Sequence, residues 1–308
     1  MSGPPVLAVD IGGTKTAVAT GPARGGPVDR VARFATPPDA AAALRTVLDE
    51  GRRLTGGEQV TAVGVSFGGH VDGDDVHSLH VPGWDDAGLV PALREAFGAP
   101  VRLVNDAEAG VIAEFDARAA SGVRHLVYVT VSTGIGAALV ADGRLLRGTH
   151  GMAGEIGHYP LADEGRCSCG RVGHLEALAS GTAIARRATD ELAGGAPSRL
   201  AGGPVEASDV DAAARAGDEL ARRVLADAGA LVGRALAIAA LTVDPDVICL
   251  GGGVSQAGGA FWDPLLRVVG EQTLRPVRVE PAVHGSDSAL VGALAVARDP
   301  DSWLGGAP

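Results

Sequence analysis

The apolar positions of the chain follow two patterns. Short apolar runs bounded by small or polar residues predict β-strands, and longer stretches with apolar residues at helical spacing predict α-helices. The predicted strands are 6–9, 17–19, 60–66, 101–104, 126–131, 137–140 and 246–250. The predicted helices are 38–54, 89–97, 180–192, 218–241 and 288–298. Strands that alternate with helices in this way indicate an α/β protein.

One local pattern occurs twice. Asp10 and Gly-Gly-Thr-Lys at 12–15 separate the first two predicted strands, and Ser-Thr-Gly at 132–134 separates a later pair. Each pattern predicts a hairpin, whereas a P-loop or a Rossmann turn leads into a helix that holds the phosphate at its N-terminus. Two such hairpins, each opening a region of strands followed by helices, predict a duplicated α/β unit. A cleft is expected between the halves, with phosphates between the two turns.

The first turn carries side chains that suit a nucleotide phosphate. Glycines let backbone amides approach an anion, Thr14 offers a hydroxyl, and Asp10 at a strand end is well placed to hold a hydrated Mg²⁺. Lys15 is the single lysine among 26 basic residues, which favours a role as a point charge in this turn. Gly-Gly on its own is an ordinary hairpin turn, and this simpler interpretation stays open.

Two later strands end in candidates for catalysis and binding. Asn-Asp at 105–106 follows one strand, and a carboxylate at a strand end facing a cleft is where a general base is expected. The same pair is also an ordinary helix N-cap. Gly-Gly-Gly at 251–253 follows another strand, where bare backbone lets a flat ligand approach. A glycine triplet alone indicates only a turn.

Several candidate metal-binding side chains lie close together in a glycine-rich loop between residues 148 and 176. Cys167 and Cys169 can direct their sulfurs at a common ion, and His158 and His174 flank them. Zinc is the usual occupant of four-coordinate sites built from thiolate and imidazole, although this spacing is not that of a zinc finger. The alternative is a pair of buried thiols beside two ordinary polar histidines.

Composition narrows the class of protein. A chain of 308 residues with 46% hydrophobic residues can fill the cores of two domains. The net charge of −11 and a pI near 5.1 argue against nucleic acid as a partner, because binding to phosphate backbones needs a concentrated basic surface.

No segment of the sequence predicts a membrane partner or export. The apolar stretch 228–243 is interrupted by Arg234 and is short for a bilayer span, and no signal peptide is recognisable. Three cysteines without a disulfide-like pattern suit a reducing compartment. The expected location is the cytoplasm.

The sequence of this loop also resembles the signature of a known protein family. Gly-x-Ala-Gly-Glu-Ile-Gly-His at 151–158, followed by Cys-x-Cys-Gly-x-x-Gly-x-x-Glu at 167–176 and Ser-Gly at 180–181, resembles the signature of the ROK family of bacterial sugar kinases and repressors. The resemblance implies the actin-like ATPase (ribonuclease H-like) fold, with two α/β domains flanking a cleft, and a homodimer. The expected domains are 1–117, with a C-terminal helix at about 288–303 packing back onto it, and 118–287 with the metal loop.

The resemblance also assigns roles to residues. Asp106 is the expected catalytic base. The expected sugar-binding residues are Gly69, His80, Asn105, Asp106, Glu155, His158 and Glu176. The expected residues for ATP and Mg²⁺ are Asp10, Gly12, Gly13, Thr14, Lys15, Thr133, Gly134, Gly251, Gly252 and Gly253. The expected ligands of a structural Zn²⁺ are His158, Cys167, Cys169 and His174.

Three positions depart from the family pattern. His174 stands where a third cysteine is usual, His80 stands where many members have asparagine, and Gly68 stands where many have proline. An imidazole reaches further from the backbone than a thiolate, so the metal loop has to adjust. His80 is equally consistent with an ordinary surface histidine, and both changes near the pocket leave the sugar open.

The expected activity is ATP-dependent phosphorylation of a hexose at a primary hydroxyl, with glucose as the first candidate. N-acetylmannosamine, N-acetylglucosamine and cyclitols are alternatives. A sugar-responsive regulator is the alternative of another class. Regulators of the family carry a helix-turn-helix domain ahead of the first glycine hairpin, which here lies near the start of the chain, and the acidic charge also opposes DNA binding.

Overall fold

A computed structural model describes residues 4–78, 83–200 and 203–304. The chain divides into two compact units, one within Met1–Arg118 and Asp287–Pro308 and the other within Ala119–Ser286. The two boundaries between the units differ by one residue from those expected from the sequence. That each unit is an independent domain stays a prediction.

Strands and helices alternate along much of the described chain. The strands are β1 (Pro5–Ile11), β2 (Lys15–Pro22), β3 (Arg30–Ala35), β4 (Val63–Phe67), β5 (His70–Asp72), β6 (Asp75–His77), β7 (Val101–Asn105), β8 (Leu126–Val131), β9 (Ile135–Ala141), β10 (Arg144–Leu146), β11 (Val247–Gly251) and β12 (Val279–Pro281). The helices are α1 (Ala40–Thr55), α2 (Leu89–Phe97), α3 (Asp106–Asp116), α4 (Leu175–Ala179), α5 (Gly181–Ala193), α6 (Ala207–Arg215), α7 (Glu219–Val243), α8 (Gly259–Gln272), α9 (Ser288–Arg298) and α10 (Pro300–Leu304).

The first unit is built on a sheet with the strand order β3-β2-β1-β4-β7. β1 and β2 form the predicted antiparallel hairpin, and β1, β4 and β7 are parallel neighbours. The carboxyl ends of these three strands therefore meet at one edge of the sheet, where Ile11, Phe67 and Asn105 lie side by side. This edge carries the candidate catalytic residues.

Helix α9 lies against the same sheet although it is distant in sequence. A methyl group on Gly64 of β4 would stand 1.9 Å from the carbonyl oxygen of Ala293, and one on Gly292 would stand 1.8 Å from that of Ala109 in α3. Glycine at both positions permits backbone contact between α9 and its neighbours, because any side chain would overlap the carbonyl groups. The close contacts hold the start of α3 near the ends of the strands.

The second unit contains a sheet with the order β10-β9-β8-β11-β12. β8 and β9 form the second predicted hairpin, and β11 runs parallel to β8 so that Gly251 pairs with Thr130. The long helix α7 packs against α8, where a methyl on Gly229 would stand 2.1 Å from the carbonyl oxygen of Phe261.

Within the described residues, α7 is the one helix long and apolar enough to cross a membrane. Most of its apolar stretch is buried inside the unit, as in the core helix of a soluble protein. The residues that face the protein include Val224, Val232 and Leu236. The apolar character of α7 is therefore explained by packing.

Candidate active site and metal centre

The first glycine turn is a tight loop with an exposed tip. The backbone N–H of Gly12 donates to the carbonyl of Lys15 at 3.0 Å, which closes the hairpin between β1 and β2. Thr36 braces the turn, because its hydroxyl donates to the Gly12 carbonyl at 2.7 Å and its N–H donates to the Thr14 carbonyl at 3.0 Å. Thr14 and Lys15 are exposed and Gly13 is partly exposed. The turn is thus rigid at its base and open to a ligand at its tip.

Asp10 lies just before this turn and is only partly exposed. The Ser66 hydroxyl donates to Asp10 Oδ1 at 2.8 Å. Burial raises the pKa of Asp10 to about 7, the Ser66 hydrogen bond opposes this rise, and the negative charges of Asp106 and Asp287 add to it. A cation would favour the ionised carboxylate here, so the electrostatics fit the Mg²⁺ expected from the sequence.

Asn105 is the N-cap of α3. Its Oδ1 accepts from the N–H of Ala107 at 2.8 Å, and Glu108 completes a capping box by accepting from the N–H of Asn105. Its Nδ2 donates to the Gly69 carbonyl at 2.8 Å. The structure therefore shows the capping role that the sequence left open, and a contact of Asn105 with sugar stays a prediction.

Asp106 is the first residue of α3 and is partly exposed. Its Oδ1 accepts from the N–H of Ala107 at 2.8 Å, and its Oδ2 lies 3.7 Å from the place where a methyl on Gly68 would stand. A methyl on Gly68 would also stand 3.2 Å from the Ile11 carbonyl oxygen, so the backbone is closely packed just after β4. The Asp106 carboxylate therefore lies next to Gly68, at the carboxyl ends of β4 and β7.

The loop with the predicted sugar contact His80 lies outside the described residues. On one side of it Gly69 is tightly enclosed, since a methyl there would stand 2.4 Å from the His77 carbonyl. On the other side Trp84 is buried and packs edge-on against the ring of Phe67, with ring centres 5.3 Å apart. Both flanks of the loop are therefore anchored to the first unit.

The second glycine turn lies in the other unit. The N–H of Ser132 donates to the Gly134 carbonyl at 2.9 Å, and the hydroxyl of Thr182 donates to the Thr133 carbonyl at 2.9 Å. The N–H of Gly181 donates to the Ser132 carbonyl at 2.7 Å, so α5 begins against this turn. The predicted hairpin is present and its turn is braced by the N-terminus of a helix.

The glycine triplet lies beside this turn because β11 is the parallel neighbour of β8. A methyl on Gly251 would stand 2.2 Å from the Tyr128 hydroxyl, and one on Gly252, which has a φ of +84°, would stand 2.4 Å from the Val131 carbonyl. Gly253 faces open space. The first two glycines are required by packing, and the third leaves bare backbone open to a ligand.

Glu176 connects the second turn to the metal loop. Its Oε2 accepts from the N–H of Ile135 at 3.1 Å, and its Oε1 accepts from the Ser168 hydroxyl at 2.7 Å. Cys167 Sγ lies 3.6 Å from the same Oε1. The carboxylate is thus held between the end of the turn and the segment between the two cysteines.

The four predicted metal ligands converge. One donor atom from each residue lies within 4.8 Å of the other three, and the residues are His158, Cys167, Cys169 and His174. The two Nδ1 atoms are 3.1 Å apart, and Cys169 Sγ lies 3.3 Å from His174 Nδ1. Nitrogen and sulfur ligands about 2.0–2.3 Å from a tetrahedral zinc are separated by about 3.3–3.8 Å, so the donor set fits such an ion.

The protonation of this cluster also suits a metal. Burial lowers the pKa of His174, and the neighbouring His158 and Arg171 lower it further, so its imidazole is neutral at pH 7 and able to ligate. Burial raises the pKa of the Cys167 thiol, which a bound cation would reverse. His158 Nε2 faces Glu155, with Oε2 at 3.6 Å, so Glu155 is placed to orient the imidazole from its other side.

Two polar contacts of the site were not predicted. Ser66 and Ser168 each donate to a carboxylate that the sequence had singled out, Asp10 and Glu176 respectively. The available signal for Ser66 was a hydroxyl inside an apolar run. For Ser168 it was a position between two candidate ligands.

Comparison with known proteins identifies the family of the chain. The ROK family model matches residues 6–300 of the chain. A glucokinase from Halalkalibacterium halodurans is 32% identical over 306 residues, covering 93% of this chain and 92% of that protein. An N-acetylmannosamine kinase from Citrobacter koseri is 35% identical over 308 residues, covering 95% of this chain and 98% of that protein.

A solved structure is similar over nearly the whole chain. The ROK family glucokinase from Streptomyces griseus, determined in complex with glucose and AMPPNP, has a TM-score of 0.84 and 29% identity, covering 96% of this chain and 99% of that one. This similarity confirms the predicted actin-like ATPase fold. The chain therefore belongs to the ROK family, as a relative of its sugar kinases.

Proposed function

We propose that this ROK sugar kinase transfers the γ-phosphoryl group of ATP to a primary hydroxyl of a hexose, with glucose as the first candidate and Asp106 as the general base. The observation that carries the proposal is the position of the Asp106 carboxylate at the start of α3, beside Asp10 and above two glycines. The glucokinase relatives support glucose. The N-acetylmannosamine kinase, at 35% identity, supports N-acetylmannosamine as the second candidate.

Asp106 would accept the proton of the attacking hydroxyl while that oxygen forms its bond to the γ-phosphorus. The bond from this phosphorus to the bridging oxygen breaks, and ADP leaves. ATP supplies the phosphoryl group, and Mg²⁺ compensates the charge of its phosphates. Asp10 would hold the hydrated cation, and Lys15 would contribute a further positive charge at the first turn.

The remaining predicted residues would bind and orient. Glycine-rich backbone at the two turns and at the triplet would receive the phosphates and the adenosine. Glu155, His158 and Glu176 would bind ring hydroxyls of the sugar. Glu176 already has both oxygens in hydrogen bonds, which makes it a pre-oriented acceptor.

Zinc would brace the pocket without entering the chemistry. Its ligands would be His158, Cys167, Cys169 and His174. Glu176 would link the ordered loop to the second turn through its hydrogen bonds. We further propose that the protein is a cytoplasmic homodimer whose partners are small sugars.

The test is ADP release from ATP and Mg²⁺ with a panel of hexoses, N-acetylhexosamines and cyclitols. Replacing the base in Asp106→Asn should lower turnover by about 10²–10⁴-fold while the nucleotide still shifts the melting temperature. Asp49→Asn, which removes an exposed carboxylate on α1, is the matched control and should keep wild-type turnover.

The substrate with the highest kcat/KM identifies the sugar. A panel with strong turnover that Asp106→Asn does not reduce would exclude this residue as the base. A panel without any turnover would favour the regulator class, and sugar-induced shifts in melting temperature would then identify the ligand.

A further inference from the structure

Ser66 is a hydroxyl placed in the middle of a buried strand. All five residues of β4 are buried, and Ser66 itself has 0% exposure. Removing a hydroxyl from water costs free energy unless it finds a hydrogen-bond partner. The polar side chain at this position therefore requires a specific partner.

That partner is the Asp10 carboxylate. β1 and β4 are parallel neighbours in which Asp10 pairs with Ser66, so the two side chains emerge next to one another at the end of the sheet. The Ser66 hydroxyl donates to Asp10 Oδ1 at 2.8 Å. This bond engages one carboxylate oxygen and leaves the lone pairs of Oδ2 for another ligand.

Two other carboxylates, Asp106 and Asp287, act on Asp10 through their negative charge. Like charges disfavour an ionised carboxylate, whereas a hydrogen bond to it is favourable. The Ser66 hydroxyl belongs to a buried strand, so its bond to Oδ1 restricts the orientation of the Asp10 carboxylate.

We propose that Ser66 is a positioning residue, which orients the Asp10 carboxylate to receive the hydrated Mg²⁺ of the nucleotide complex. The inference rests on the proposed role of Asp10 in the kinase reaction. Ser66 itself touches neither substrate nor metal, and its effect passes through Asp10.

The first experiment measures cation binding directly. Binding of Mn²⁺ to the protein in the presence of ADP is followed by electron paramagnetic resonance. Ser66→Ala should weaken Mn²⁺ binding by about tenfold, the size expected for one hydrogen bond to a charged group. Ser66→Thr, which retains the hydroxyl on a side chain suited to strands, should recover most of the affinity.

The second experiment separates positioning from general damage. In steady-state kinetics, Ser66→Ala should raise the KM for Mg²⁺ by about tenfold and leave the KM for sugar unchanged. Thr55→Val is the matched control, because it removes another buried hydroxyl of the same unit that donates to the Arg52 carbonyl. It should change neither quantity.

Three outcomes would overturn the inference, and the second of them would also contradict the proposed metal role of Asp10. If Asp10→Asn loses Mn²⁺ affinity and Ser66→Ala keeps it, the role of Ser66 is wrong and that of Asp10 stands. If Asp10→Asn itself binds Mn²⁺ like the wild type, the metal role of Asp10 is wrong and Ser66 has nothing to position. A change in the KM for sugar equal to that for Mg²⁺ in Ser66→Ala would indicate structural damage in place of positioning.

Discussion

At the residue scale, the site concentrates negative charge where a cation is expected. Burial disfavours the charge of Asp10, and the negative charges of Asp106 and Asp287 disfavour it further. An ionised carboxylate in these surroundings lowers the stability of the folded protein, and this cost has a measurable pH dependence. Perturbed groups of this kind are frequent at functional sites.

Replacing Asp10 by asparagine should stabilise the nucleotide-free protein above neutral pH. The folded pKa is about 7 and the unfolded value is 3.8, so between these limits the folded state binds more protons. The contribution of Asp10 to stability is therefore highest below pH 3.8, declines as the pH rises, and is fully lost above pH 7.

The measurement is the melting temperature in Mg²⁺-free buffer between pH 5 and 8. The difference between Asp10→Asn and wild type should grow with pH and level off above about pH 7. Asp49→Asn serves as the control, and its difference from wild type should stay flat. A constant offset for Asp10→Asn across the range would contradict the shifted pKa.

His174 is the predicted zinc ligand for which the sequence resemblance leads us to expect a cysteine. Because its Nδ1 converges with the other three donors, we expect about one zinc per chain in the purified protein. His174→Ala should lose the metal, because only three of the four donors would remain. The assay is elemental analysis after gel filtration.

A nearby histidine provides the control for this prediction. His150→Ala removes an exposed imidazole of the same loop that is not one of the four predicted ligands, and it should leave the zinc content unchanged. An active wild-type protein without zinc would show that the four donors form a pocket loop and no metal site.

At the element scale, helices and strands are joined through glycines that allow backbone contact. α9 touches β4 at Gly64 and α3 at Gly292. Since α3 begins with Asp106, the packing of α9 supports the position of the candidate base. A disturbance of this contact should therefore affect both stability and catalysis.

Gly292→Ala tests this packing. The added methyl would stand 1.8 Å from the Ala109 carbonyl, so the helices must separate. We expect a loss of about 1–3 kcal/mol in the free energy of unfolding, measured by urea denaturation. Gly270→Ala, inside α8 with nothing within 4 Å of the new methyl, should instead gain about 0.5–1 kcal/mol. Equal effects of the two variants would exclude close packing as the cause.

Some elements escaped prediction because their local sequence opposes the structure they adopt. α8 carries Pro264 inside the helix, and it is stabilised by its packing against α7. β3 is an edge strand with alternating exposed positions, so it lacks the apolar run that marked the buried strands. In both cases contacts with distant elements outweigh the local signal.

At the scale of the whole molecule, candidate site residues lie at the carboxyl ends of parallel strands in each unit. In the first unit these are β1, β4 and β7, and in the second they are β8 and β11. Ligands bind at such edges in open α/β sheets, because loops and helix N-termini gather there. Each unit thus has a hairpin turn of small residues next to the functional groups that the sequence singled out.

The sequence by itself determined the features that depend on neighbours along the chain. Apolar runs and turn residues predicted both hairpins and the helices α2 and α9. Short spacings predicted the four candidate metal ligands of the loop. Only the tertiary structure decided the contacts between distant residues, since these depend on register and packing. The Ser66–Asp10 bond spans 56 positions and the Glu176–Ile135 bond spans 41, and no local pattern encodes which carboxylate a hydroxyl or amide will meet.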